Sequence, residues 1–138
     1  MKHFVLIACA SRKLEHPAPA ASIYVSQLFR SSLTYARSLQ PDAIYVLSAK
    51  HGLLELDRVI EPYEQTLNGK SKAELQAWAA SVKAALEAEG ASLHGDRFTF
   101  LAGRNYRRFL VDQMARTAVP MEGLGIGQQL GFLSRANR

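Results

Sequence analysis

The chain has 138 residues, enough to bury one sound core, and its 48% hydrophobic and 21% charged content excludes wholesale disorder. No run of about 18 apolar residues is present, so no transmembrane helix is implied, and the single cysteine excludes an internal disulfide and any multi-cysteine metal site. A net charge of +5 with a pI near 9.6 suits an anionic partner, whether a small molecule or nucleic acid.

The first element is an apolar run over residues 4–9, which reads as a buried strand. Its apolar part is too short for a signal peptide and passes straight into Ser11-Arg12-Lys13, so a cytoplasmic protein is expected. Pro17 and Pro19 then forbid a regular helix or a central strand. Leu28, Phe29, Leu33, Ala36 and Leu39 recur at helical spacing, with Ser22 or Ser26 as the cap and Pro41-Asp42 as the stop. A β-branched run over 43–47 is the second strand. It ends in Ser48, Lys50, His51 and Gly52, a polar cluster with a turn-permissive glycine.

An irregular segment follows over 57–69. Ser71-Lys72-Ala73-Glu74 matches a capping box, and the helix it opens carries Leu75, Trp78, Ala79, Val82 and Leu86 on one stripe until Gly90. A third strand over 97–102 closes at Gly103, and a third helix begins at Arg104 and runs to about 116. Residues 117–121 read as an edge strand because of Pro120. After the bend Gly123-Leu124-Gly125-Ile126-Gly127, a last helix runs to about 135. This alternation predicts one α/β domain over 1–138. Its architecture is a small, mostly parallel sheet of about four strands with helices on both faces, a Rossmann-like three-layer sandwich.

In such a sheet, ligands bind beyond the carboxyl ends of the strands. Cys9, Ser11 and Lys13 follow the first strand. Ser48, Lys50, His51, Gly52 and Glu55 follow the second. Gly103, Arg104, Asn105 and Tyr106 follow the third, and Gly123, Gly125, Gly127 and Gln128 the fourth. The opposite ends carry little beyond Pro41-Asp42 and Gly95-Asp96. The basic excess lies in the same flanking thirds. Residues 1–60 hold seven Lys/Arg against four acids, and residues 96–138 hold seven against three.

Each candidate has a chemical reading and a plain one. Cys9 is a nucleophile with His51 as its base, or a core thiol. Ser11 with Lys13 binds phosphate, or forms a solvated turn. His51 is the natural proton carrier near neutral pH, with Lys50 beside it and Glu55 or Glu61 as a partner carboxylate. Arg104-Asn105-Tyr106 offers amides and a guanidinium to an anion, or opens an ordinary basic helix. Tyr24, Tyr63 and Tyr106 are the rings on which a base would stack. Gly125-x-Gly127 falls short of a nucleotide fingerprint. There is no Walker lysine motif, no Gly-x-Ser-x-Gly elbow and no metal-ligand spacing among His3, His16, His51 and His94, so no metal site is expected and no cofactor is indicated.

Cys9-Ala-Ser-Arg-Lys13, Pro17-Ala-Pro-Ala20, Tyr24-Val-Ser-Gln-Leu-Phe-Arg30, Leu47-Ser-Ala-Lys-His-Gly-Leu53, Glu61-Pro-Tyr63 and Gly123-Leu-Gly-Ile-Gly127 together resemble a small bacterial and phage domain family of unknown function. The Cys-x-Ser-x-Lys opening with a later Tyr-x-Ser is also similar to a segment of archaeosine synthase. That likeness implies a nucleobase or nucleic-acid setting and no particular reaction. The leading expectation is an enzyme acting on a nucleotide, nucleoside or modified nucleobase, free or within nucleic acid, by glycosyl-type or group transfer or by hydrolysis. The alternatives are a non-catalytic nucleic-acid-binding module and a Cys9-dependent hydrolase.

Overall fold

The computed structural model describes residues 1–138. In chain order the elements are β1 (His3–Ala8), β2 (Ala18–Pro19), α1 (Ala20–Ile23), α2 (Gln27–Ser38), β3 (Ala43–Ser48) and β4 (Gly52–Glu55). There follow β5 (Val59–Ile60), α3 (Lys72–Ala88), β6 (Arg97–Leu101), α4 (Arg104–Val111), β7 (Arg116–Ala118) and α5 (Ile126–Ala136). The main sheet has five strands in the order β4-β3-β1-β6-β7, all parallel except β4. The expected three-layer α/β sandwich is what forms.

β1 is central because its sequence tolerates burial on both faces. Phe4, Val5, Leu6 and Ile7 are all buried, as a continuous apolar run in a parallel strand requires. Alternate residues serve opposite layers. Val5 and Ile7 pack with Phe29, Leu33 and Ala36 of α2 and Leu133 of α5. Phe4 and Leu6 pack with Ala79, Val82 and Leu86 of α3 and Leu110 of α4. Each such Val, Leu, Ile or Phe side chain contributes roughly 1.5–3 kcal/mol when fully buried.

The predicted caps form. Ser26 Oγ accepts from the Phe29 amide at 3.1 Å and opens α2. Ser71 and Glu74 exchange bonds of 3.2 and 3.1 Å at the start of α3. Three elements differ from expectation. A fifth strand, β4, folds back on β3 because Gly52 takes a positive φ of 69° and pairs with Ser48. The edge strand stops at Ala118, before Pro120, because proline cannot donate to a ladder. α4 ends at Val111 with Asp112 as its cap, well short of residue 116. Outside the main sheet, β2 and β5 form a two-residue antiparallel ribbon.

Topology selects one place for a ligand. β1 leads through α2 to β3 on one side, and the chain then returns through α3 to β6 on the other. The strand order reverses at β1, so the crevice opens at its carboxyl end, where Cys9 stands.

Candidate functional site

Two cavities meet at the end of β1. The larger is about 560 Å³, within the usual range of roughly 300–1,000 Å³ for small-molecule sites. Its apolar walls include Ile7, Phe100, Leu101, Val119, Met121 and Leu130. Its rim is made where three helices begin: Ser26 and Gln27 of α2, Gly103 and Arg104 of α4, Ile126 and Gln129 of α5. Helix amino ends carry partial positive charge and unsatisfied N–H groups. Arg104 is exposed and has no carboxylate within ion-pair distance. Arg107, one turn on, donates to the Ala102 carbonyl at 3.0 Å and approaches Glu122 at 3.9 Å. The cavity is therefore an apolar slot with a cationic mouth.

The smaller cavity, about 480 Å³, is polar and is lined by Lys13, Glu64, Gln65, Thr66, Asn68 and Tyr106. Cys9, Ala10 and Ser11 line both cavities and form the partition between them. The half-buried Cys9 thiol donates to the Tyr106 hydroxyl at 3.6 Å, and the Leu67 amide donates to the same oxygen at 3.3 Å. Asn105 Nδ2 donates to Asn68 Oδ1 at 3.1 Å. The Leu67–Tyr106 and Asn105–Asn68 bonds tie the irregular 61–70 segment to α4 and set the outer wall of the second cavity.

The exit of β3 is a buried hydrogen-bond chain. Ser48 Oγ lies 2.7 Å from the Tyr63 hydroxyl, which lies 2.6 Å from the Tyr24 hydroxyl. The His51 amide donates to Ser48 Oγ at 3.0 Å, and Trp78 Nε1 donates to the Ser48 carbonyl at 2.9 Å. Lys13 Nζ stands 4.3 Å from the centre of the Tyr63 ring, close enough for a cation–π contact. Burial pushes the Tyr24 phenol up to about 12 and also raises Tyr63. It lowers the Lys13 ammonium, against the opposing pull of Cys9 and Glu64. The His51 ring meets Tyr63 edge to face at 5.5 Å, and its buried Nε2 has no partner. Burial, then the nearby Arg58 and Lys50 charges, hold His51 below its ordinary value and favour the neutral ring.

Of the residues anticipated from sequence, Cys9, Ser11, Gly103 and Arg104 line the larger cavity, and Lys13 and Tyr106 the smaller. Ser48, Tyr63, Tyr24 and His51 form the neighbouring network. Tyr24 and Tyr63 are only 1% and 8% exposed, so neither ring offers a face to a base. Cys9 and His51 share no cavity, and the thiol's partner is Tyr106. Lys50 and Glu61 are exposed and line neither cavity, and Gly52 makes the hairpin turn. Glu55 is carried away by β4 to a position opposite Tyr45, beside Glu89, whose hydrogen bond raises it. Gly125 caps α5, with Gln128 accepting from its amide at 3.0 Å, and Gly127 follows on the exposed first turn.

Arg107, Gln129, Glu64, Thr66 and Asn68 were not anticipated. Arg107 had a signal, since it falls on the same helix face as Arg104, three residues earlier. Glu64, Thr66 and Asn68 lie in a segment without periodicity and gave none. No group of three His, Cys, Asp or Glu side chains is placed to hold a metal ion. No helix is long and apolar enough to cross a membrane.

The chain belongs to a family of unknown function, DUF6884, whose model matches residues 4–135. Neither the curated proteins nor the solved structures contain a match.

Proposed function

We propose that this member of the family is an enzyme acting on a nucleotide, nucleoside or modified nucleobase, free or within nucleic acid, by group transfer or hydrolysis. The observation that carries the reading is the larger cavity at the switch point, apolar inside and cationic at its mouth. A base is flat and apolar on its faces, and a phosphate is an anion. The walls formed by Leu101, Met121 and Leu130 suit the first. Arg104, Arg107 and the amino ends of α2, α4 and α5 suit the second.

Cys9 lines this cavity, where the reacting bond of such a ligand would lie, and Tyr106 holds its thiol from the side of the smaller cavity. We place the protein in the cytoplasm, where nucleotides are abundant and a lone thiol stays reduced. The test is calorimetric titration with adenosine and guanosine 5′-monophosphates, beside the parent nucleosides. Binding is expected to tighten with the phosphate, and Arg104→Met is expected to weaken it by about tenfold, the worth of one charge-assisted hydrogen bond. Absence of binding for all four compounds would overturn the reading.

A further inference from the structure

We propose that the smaller cavity is a second subsite. It would take a small polar molecule bearing an oxyanion and a hydrogen-bond donor, while the larger cavity is filled. Size is the first argument. A hydrolytic water needs only about 10–15 Å³ of cavity, and this chamber offers about 480 Å³. Space on that scale fits an organic molecule beside the first ligand, the arrangement that a transfer requires and a hydrolysis does not.

Charge is the second argument. The Lys13 ammonium is drawn into the wall by the Tyr63 ring at 4.3 Å and by the Ser11 carbonyl, which accepts from it at 3.2 Å. An ammonium has three N–H donors, and this one has a single protein acceptor and no carboxylate within ion-pair distance. It is a fixed, underused cation facing a polar chamber. Glu64 lines the same chamber unpaired and supplies an acceptor for the ligand's donor group, while Thr66 and Asn68 provide neutral polar contacts.

Position is the third. Only Cys9, Ala10 and Ser11 are common to both chambers, so two bound molecules would lie against opposite sides of one short segment.

This subsite builds on the nucleotide reading of the larger cavity, yet its occupancy is read separately. Amide resonances of the 15N-labelled protein are followed during titration with glycolate, glycerol 3-phosphate and uncharged glycerol. One of the two anions is expected to move Thr66 and Asn68 and to leave Gly103 and Gln129 in place, with glycerol without effect. The arm that responds tells a carboxylate from a phosphate ester. Lys13→Met is expected to weaken that binding by at least about tenfold and to leave adenosine 5′-monophosphate binding within about twofold. With nucleotide and anion together, both sets of shifts are expected to persist. No movement of Thr66 and Asn68 with either anion, or displacement of the anion by nucleotide, would overturn the second subsite. Failure of nucleotides to move Gly103 and Gln129 would overturn only the reading of the larger cavity. The wild-type titrations need no variant, so an unstable Lys13→Met protein leaves the test intact.

Discussion

The Tyr63 hydroxyl sits 2.7 Å from Ser48 Oγ, and that bond fastens the irregular 61–70 segment to the exit of β3. Because Tyr24 closes the chain at 2.6 Å, one buried phenol serves two partners. Lys13 rests on the ring of the same tyrosine. The segment that forms the outer wall of the smaller cavity is thus held by a polar network inside the core as well as by apolar burial of Leu67.

Tyr63→Phe keeps the ring and removes the shared hydroxyl. Tyr24 is left without its side-chain partner, and Ser48 Oγ retains only the His51 amide. The loss is expected to be about 1–3 kcal/mol, read as a lower urea midpoint with an unchanged slope. Tyr24→Phe removes an end of the chain instead of its middle and is expected to cost less. Equal stability of Tyr63→Phe and the parent would show that the network does not anchor the segment.

The core and the carboxyl edge were legible because both rest on simple periodicities. The run at Phe4–Ile7, the helical spacing of Leu28 to Leu39 and the Ser71–Glu74 box each encode a local rule. Glu55 was misjudged in space because one positive-φ glycine reverses the chain, and a reversal of direction leaves no mark on hydrophobic pattern. The partnership of Cys9 with Tyr106 spans 97 residues of sequence and depends on parallel pairing of β1 with β6. Tyr24 and Tyr63 looked like stacking rings because a tyrosine's burial is set by tertiary packing. Their hydroxyls turn inward, Tyr63 to Ser48 Oγ and Tyr24 to Tyr63.

Lowering the pH is expected to destabilise the protein through His51. Folding favours its neutral ring, so the unfolded chain binds more protons below the ordinary value of 6.5. Stability therefore rises with pH in that window and is lost as the pH falls through it. His3, also lowered by burial, acts in the same direction. Asp96 and Glu74, held low by backbone hydrogen bonds, lose their contribution only in more acid solution. Urea midpoints at about pH 7.5 and pH 5.5 are expected to differ, and His51→Gln is expected to narrow the difference. An undiminished difference in that variant would assign the effect elsewhere.

Gly103 and Gly52 make a paired test of which glycine serves the fold. A Cβ at Gly103 meets nothing within 4 Å and its φ of −67° is ordinary, so alanine is compatible with the backbone. Gly103→Ala is expected to change stability by less than about 1 kcal/mol, weaker capping offsetting the stiffer unfolded chain. It places a methyl group at the mouth of the larger cavity and is expected to weaken nucleotide binding. Gly52→Ala forces a left-handed residue and is expected to cost about 1–2 kcal/mol. A stable Gly103→Ala protein with undiminished nucleotide affinity would move the phosphate away from α4.

Cys9 allows the partition itself to be probed. It is the only cysteine, so alkylation by iodoacetamide modifies one known atom, and mass spectrometry counts it without ambiguity. Its half-buried thiol lines both cavities, so a filled cavity shields it on one side. Adenosine 5′-monophosphate alone is expected to slow alkylation by a few-fold, because the smaller cavity still admits the reagent. A ligand of the smaller cavity added with it is expected to slow the reaction further than either does alone. Tyr106→Phe removes the hydroxyl that accepts the thiol's hydrogen bond at 3.6 Å. It is expected to change the alkylation rate of the free protein and to leave protection by nucleotide in place. Alkylation that proceeds at one rate with and without both ligands would place their binding away from Cys9. The end of β1 would then lose its role as the meeting point of two bound molecules.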